Sequence, residues 1–232
     1  MPLSITVKYF LFVAIAGLTA CSRATPDTFE SAIAAYRATH YSEANRLFAD
    51  CVARQQRLPE SLFYRGRCLA ELDSLPQAAV TLEAAAKAHD EARSIHLKRG
   101  TLVLPELDSS NFIAFTTSSL GGVYYKMDKY PKAFNAFYLS YLLKPDQPGI
   151  NFNLGVTLLM LHEHHRAASF LLREYYHGTA REKECSALAE AYLLRHNYDS
   201  ARIFLRKAFQ LHPGYAPALA LQQEVDSVSK IR

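Results

Sequence analysis

The sequence predicts an all-α solenoid of about five stacked helix-turn-helix units, closed by a final helix. Two periodic observations and one punctuating one predict it. Ala44, Ala78, Ala133, Ala167 and Ala201 are separated by 34, 55, 34 and 34 residues, and four residues after each stands a bulky apolar side chain: Phe48, Leu82, Phe137, Leu171 and Leu205. Ahead of them Gly66, Gly121, Gly155 and Ala189 keep the same spacings, with Leu69, Tyr124, Leu158 and Tyr192 three residues beyond. Pro145 and Pro213 close two of the units, since proline lacks the N–H that a continuing helix needs and crowds the preceding turn. Self-similarity at a fixed period is the mark of a repeat architecture.

The spacing has a steric meaning. Two antiparallel helices approach closely only where a small residue faces a bulky one, so Gly and Ala supply notches for Tyr, Phe and Leu. A unit built this way cannot bury its apolar face alone and must stack on neighbours. Composition agrees: of 232 residues half are hydrophobic and 21% charged, with 9 Gly and 10 Pro, which suits a packed helical protein and not a disordered chain. The net charge of +4 is modest and interspersed, lacking the dense basic face of a nucleic-acid binder.

Taken in order, residues 21–27 read as a short tether containing Pro26, and 28–89 as the first two units. In the first, Phe29, Ile33 and Tyr36 form one helical face and Ala44, Phe48 and Cys51 the next. Its internal turn counts one residue shorter than the others, as befits a degenerate terminal repeat. Pro59 opens the second unit, with helices expected at about 60–73 and 76–88. The long interval then leaves an insertion at 90–110. Asp90 to Arg99 can prolong the preceding helix up to Gly100, while Thr101 to Leu107, interrupted by Pro105, reads as an ordered loop. Asp108, Ser109 or Ser110 can cap the helix that follows. Units three to five fill 111–213, and 214–232 forms a capping helix that turns Leu219, Leu221 and Val225 onto the last unit.

The run Leu120-Gly121, Tyr124, Ala133, Phe137 and Pro145 resembles the tetratricopeptide repeat, lacking only that family's leading Trp. The resemblance implies a right-handed solenoid whose first helices line a concave ligand surface. Carried over position by position, it places Phe63, Arg67, Phe115, Tyr125, Lys126, Phe152, Val156, Leu159 and Met160 in a peptide-binding groove. An aromatic groove flanked by Arg67 and Lys126 suits an extended or helical peptide with some acidic character. The same side chains read equally well as core. Phe63 and Phe115 stand where the carboxylate clamp of chaperone-binding members has polar residues, so that activity is not implied.

The first 20 residues read as a signal peptide: Lys8, then an apolar run from Tyr9 to Leu18, too short for an ordinary membrane span. Leu18-Thr19-Ala20-Cys21 resembles the lipobox of bacterial lipoproteins, which implies cleavage before Cys21 and a diacylglycerol on its thiol. Ser22 after the cysteine implies sorting to the outer membrane, with the protein facing the periplasm. Cys51, Cys68 and Cys185 remain; a Cys51–Cys68 bridge is geometrically conceivable, and buried thiols standing in for alanine are the simpler alternative.

Chemistry is sparse. His162-Glu163-His164-His165 is not HExxH, and it falls on the tight turn between two helices, where adjacent side chains splay apart. Gly121-Gly122 is followed by no GK[ST], and no serine sits in GxSxG. The sequence therefore predicts a non-catalytic adaptor with no cofactor or metal. Its expected partner is another envelope protein, met at the membrane through the lipid on Cys21. The alternatives are a carrier enclosing an apolar ligand and, behind it, a metal-dependent enzyme using the 162–165 turn.

Overall fold

The computed structural model describes residues 27–98, 109–177 and 181–229, with eleven helices and no strand among them. They pair into five units: α1 (Thr28–Arg37) with α2 (Tyr41–Ala53), α3 (Leu58–Glu71) with α4 (Leu75–Lys98), α5 (Ser109–Lys126) with α6 (Tyr130–Leu143), α7 (Ile150–Met160) with α8 (His164–His177), and α9 (Glu182–Leu194) with α10 (Tyr198–Leu211). A last helix, α11 (Ala216–Ser229), packs on α9 and α10. The first helices approach one another backbone to backbone in succession, α1 with α3, α3 with α5, α5 with α7 and α7 with α9, whereas second helices meet through long side chains, Tyr141 of α6 on Phe170 of α8 and Tyr175 of α8 on Phe204 of α10. The first helices therefore form the inner layer of the stack, and the second helices fan outward.

The notches and knobs meet as the spacing demands. A Cβ built on Gly66 would lie 2.7 Å from Cγ of Leu82, one on Gly121 2.7 Å from Cδ1 of Phe137, and one on Gly155 2.5 Å from Cγ of Leu171. In the fifth unit Ala189 and Leu205 fill the same places, both buried. Ala44, Ala78, Ala133, Ala167 and Ala201 are all fully buried, because each sits where the second helix crosses the first most closely.

One repeating element carries no glycine signature. Thr39, Asp73, Asp128, His162 and His196 all adopt left-handed backbone, with φ between 56° and 61°, at the same point of each internal turn. The N–H of each donates three residues back, and that of the next residue five residues back, as in His40 to Ala35 O and Glu163 to Leu158 O. This satisfies the carbonyls at the end of each first helix. The carbonyl of that next residue then accepts from the repeating alanine, opening the second helix. Left-handed backbone costs a side chain with a Cβ about 1–2 kcal/mol, and most for a β-branched one. Thr39→Gly is therefore expected to stabilise the chain by roughly 0.5–1 kcal/mol once glycine's extra unfolded-state freedom is counted, read as a higher urea midpoint.

Several expectations change. The first unit's turn is not short: Ala38, Thr39 and His40 span it, matching the three-residue turns elsewhere. Ala35 takes the place that Tyr124 holds in the third unit, accepting the same bond from five residues on, while Tyr36 turns toward Tyr41 and Tyr64. Helix α4 runs on to Lys98, absorbing the first part of the insertion; Thr101 to Leu107 lies outside the described residues, as do the leader and Cys21. In α11, Ala218 and Val225 are fully buried and Leu221 packs on the core, but Leu219 is exposed. Cys51, Cys68 and Cys185 are free and buried, and burial pushes the Cys68 thiol up to about 11. Such thiols are inert.

Candidate interaction groove

On the inner layer, α3 and α5 leave a cavity of about 480 Å³ between them, open to solvent. Its walls are aromatic. Phe63 packs on Tyr64 at 5.2 Å and Phe112 at 5.8 Å between centroids, and Phe115 stands at the rim, 44% exposed. Each wall has a cation fixed against it. The Arg67 guanidinium lies 5.7 Å over Phe63 and 5.3 Å over Tyr36, and the Lys144 ammonium 5.0 Å over Phe115 while donating to Asn111 Oδ1 at 2.8 Å. A cation over an aromatic face is held electrostatically by the ring quadrupole.

Beneath this cavity, His89 of α4 stacks on Phe112 at 4.7 Å and is only 1% exposed. Neither ring nitrogen has a hydrogen-bond partner; Asp90 Oδ1 lies 3.9 Å from Nδ1, beyond bonding reach. Burial holds the imidazole below its ordinary range, with Asp90 and Glu60 opposing that shift and Arg93 adding to it.

A second open cavity, about 870 Å³, follows along the array where α6, α7, α8 and α9 meet. Phe152, Asn151, Arg173 and Lys183 line it, and Gln147 lines both cavities. Gln147 is held there by Ser140, whose hydroxyl donates to Ala114 O at 2.8 Å and lies 3.2 Å from Gln147 Oε1. Here too the aromatic faces carry cations: Lys183 sits 4.6 Å over Phe152 and Arg173 5.7 Å over Tyr141, whose hydroxyl it also contacts.

Of the nine residues expected in the groove, Phe63, Arg67 and Phe115 line the first cavity and Phe152 the second. Phe63 is nevertheless a nearly buried wall, 9% exposed. The other five line neither cavity. Tyr125 is half-buried against Tyr130, Lys126 and Met160 are exposed, Val156 is half-buried against the core, and Leu159 belongs to the core at 6% exposure. Phe112, Gln147, Asn151, Arg173 and Lys183 were not in that set. Gln147 has no repeat position to give it away, since it comes from the connection between units. Arg173 and Lys183 look like ordinary solvated charges in sequence; only the Tyr141 and Phe152 rings beneath them mark them out.

At the 162–165 turn, His162 takes the left-handed backbone and its ring meets that of His164 edge-on at 6.0 Å. Among the described residues no three His, Cys, Asp or Glu side chains are grouped to hold a metal ion, and no helix is long and apolar enough to cross a membrane.

No protein-family model matches the chain, and no curated protein matches it. Solved structures do. YrrB, described as a TPR protein with an unusual peptide-binding site, is 14% identical, with a TM-score of 0.65 over 84% of this chain and 90% of that one. PilF of Pseudomonas aeruginosa is 17% identical, with a TM-score of 0.67 over 85% and 80%. MamA is 15% identical, with a TM-score of 0.63 over 82% and 92%. The chain has the fold of the tetratricopeptide-repeat solenoids.

Proposed function

We propose that this protein is a non-catalytic scaffold that binds a segment of another cell-envelope protein along the inner face of its solenoid. The cavity between α3 and α5 carries the reading: an open aromatic slot, with Phe115 exposed at its rim and Phe63 and Phe112 packed behind it, offers contact area at low entropic cost. Both cavities open to solvent, which suits a peptide lying across them and not an enclosed apolar cargo. The solved peptide-binding relative in fold is consistent with this use of the surface. A diacylglycerol on Cys21 would hold the protein at the periplasmic face of the outer membrane, as the Leu18–Cys21 sequence suggests.

The test is a crosslinking pull-down of the lipidated protein from its own envelope beside Phe115→Ala, whose exposed position leaves the fold intact by circular dichroism. One partner is expected to be lost selectively, with purified affinity falling by at least ~30-fold, as for truncation of a central aromatic anchor worth about 2 kcal/mol. An unchanged partner set would move the binding surface elsewhere. In the same cells Cys21→Ser is expected to abolish lipid labelling and membrane retention; retention of both would end the lipoprotein assignment.

A further inference from the structure

Helix α6 departs from the other second helices on its outward face. Tyr138, Leu139, Leu142 and Leu143 are between 37% and 59% exposed there, in two rows of residues four apart. At the repeat position of Leu139 the other units carry Asp50, Ala84, Arg173 and Lys207, and at that of Leu142 they carry Ala53, Lys87, Tyr176 and Gln210. Neither set holds a bulky aliphatic side chain. Packing does not call for one either, because α6 meets α5 and α7 through its other side, where Ala133, Ala136, Phe137 and Ser140 are buried. A helix on the outside of a stack ordinarily turns polar residues to solvent.

Charge and area say what meets this face. Helix α6 contains no Asp or Glu, and Lys126, Lys129 and Lys132 stand exposed around the turn that opens it. None of the three pairs with a carboxylate among the described residues. The acids beside them are taken up by hydroxyls, Asp128 accepting from Tyr130 at 2.6 Å and Glu83 from Tyr124. Asp146 and Glu174 belong to the second cavity, with Arg173 and Lys183. The four exposed side chains offer roughly 400 Å², about half of what each partner contributes to a stable protein complex. They also stand on the outward layer, which presents a ridge and not a pocket. A ridge with an apolar crest, a tyrosine and a lysine pole has the make-up of a helix that lies in a membrane interface, its lysines reaching the headgroups.

We propose that the outward face of α6 docks on an anionic phospholipid bilayer, with Leu139, Leu142 and Leu143 entering the headgroup layer. Tyr138 sits at the boundary, its ring among the acyl ends and its hydroxyl toward water, and Lys126, Lys129 and Lys132 meet the lipid phosphates. The contact is separate from the groove and from any lipid on Cys21. It turns the outer layer to the membrane and leaves the slot between α3 and α5, on the inner layer, facing away from it.

The chain has no tryptophan, so one introduced at the crest reports on that point alone, whatever else holds the protein at a membrane. The full chain carrying Leu142→Trp is mixed with vesicles of equal parts phosphatidylglycerol and phosphatidylcholine whose acyl chains are brominated near the headgroup. Its emission is expected to move to the blue and to be quenched at least ~twofold, as for a side chain buried in the interface. Quenching is expected to fall by at least half in phosphatidylcholine vesicles, in high salt, and with Lys129→Gln/Lys132→Gln added. Met160→Trp, exposed on the inner layer, is expected to stay unquenched. Circular dichroism confirms that each variant is folded. An unquenched Trp at 142, or equal quenching in both kinds of vesicle or at both sites, overturns the proposal. So does shielding of the Trp at 142 from iodide before vesicles are added, which would mean that this chain or a second copy covers the face. Shielding that appears only on adding envelope proteins would assign the face to a protein partner and overturn it as well.

Discussion

Acidification through the histidine range is expected to destabilise this protein steeply, and His89→Leu to flatten that dependence. His89 is 1% exposed, stacked on Phe112, with both ring nitrogens unpartnered. Its folded pKa lies below the ordinary value because burial disfavours the charged ring more than Asp90 and Glu60 favour it. The unfolded chain therefore takes up the proton first as pH falls. A depressed pKa contributes nothing to the pH dependence above the unfolded value near 6.5. Below it, stability is lost until pH has fallen through the folded value, at up to about 1.4 kcal/mol per pH unit for one proton. His89→Leu removes two unsatisfied nitrogens and the proton together. It is expected to add about 1–3 kcal/mol at neutral pH, the range for relieving a buried unpaired polar group. Urea midpoints between pH 7.5 and 5 check both statements; parallel slopes for wild type and variant would remove His89 as the source.

The second large effect lies in the middle of the array. Gly121→Leu is expected to cost about 3 kcal/mol, the upper range for overpacking, because even a Cβ there would meet three ring atoms of Phe137 between 2.7 and 2.9 Å. Phe137→Ala costs about 3–5 kcal/mol through the void it leaves. The double variant is expected to be at least ~1 kcal/mol more stable than the sum of the two, since each change removes the other's defect. The fifth unit already shows the compromise, with Ala189 facing Leu205 instead of glycine facing phenylalanine. Strict additivity, measured by equilibrium unfolding, would mean that the two residues do not share the close approach assigned to them.

These two positions differ in how far the sequence announces them. Gly121 and Phe137 are legible, because the steric rule for two crossing helices leaves a small-large signature at a fixed interval. The left-handed turn residues are not: Thr39, Asp128 and His162 share a conformation and nothing in their chemistry. The turn of the first unit is misread for a related reason, since a conspicuous Tyr36 draws the alignment one place away from the unremarkable Ala35 that holds the position. Of the residues that the family resemblance placed on the inner layer, Phe63, Arg67, Phe115 and Phe152 line the two cavities, but position in the repeat alone does not say whether a side chain there faces solvent or a neighbour. Leu159 shows this by being core. Gln147 lies in a connection whose path follows from how two units dock, which no local pattern encodes.

The layering of contacts has a mechanical corollary. Because successive first helices lie backbone to backbone while second helices meet through long side chains such as Tyr141 on Phe170 and Tyr175 on Phe204, the stack is tighter along its inner edge than along its outer one. Bending about the inner edge opens or closes the outer gaps and works against those side-chain contacts. Small rotations at each joint sum along a stack of this kind, so a change too slight to break any one contact alters the span between its ends. A segment seated from α3 to α9 would cross three joints and act as a brace on the curvature of the units it spans.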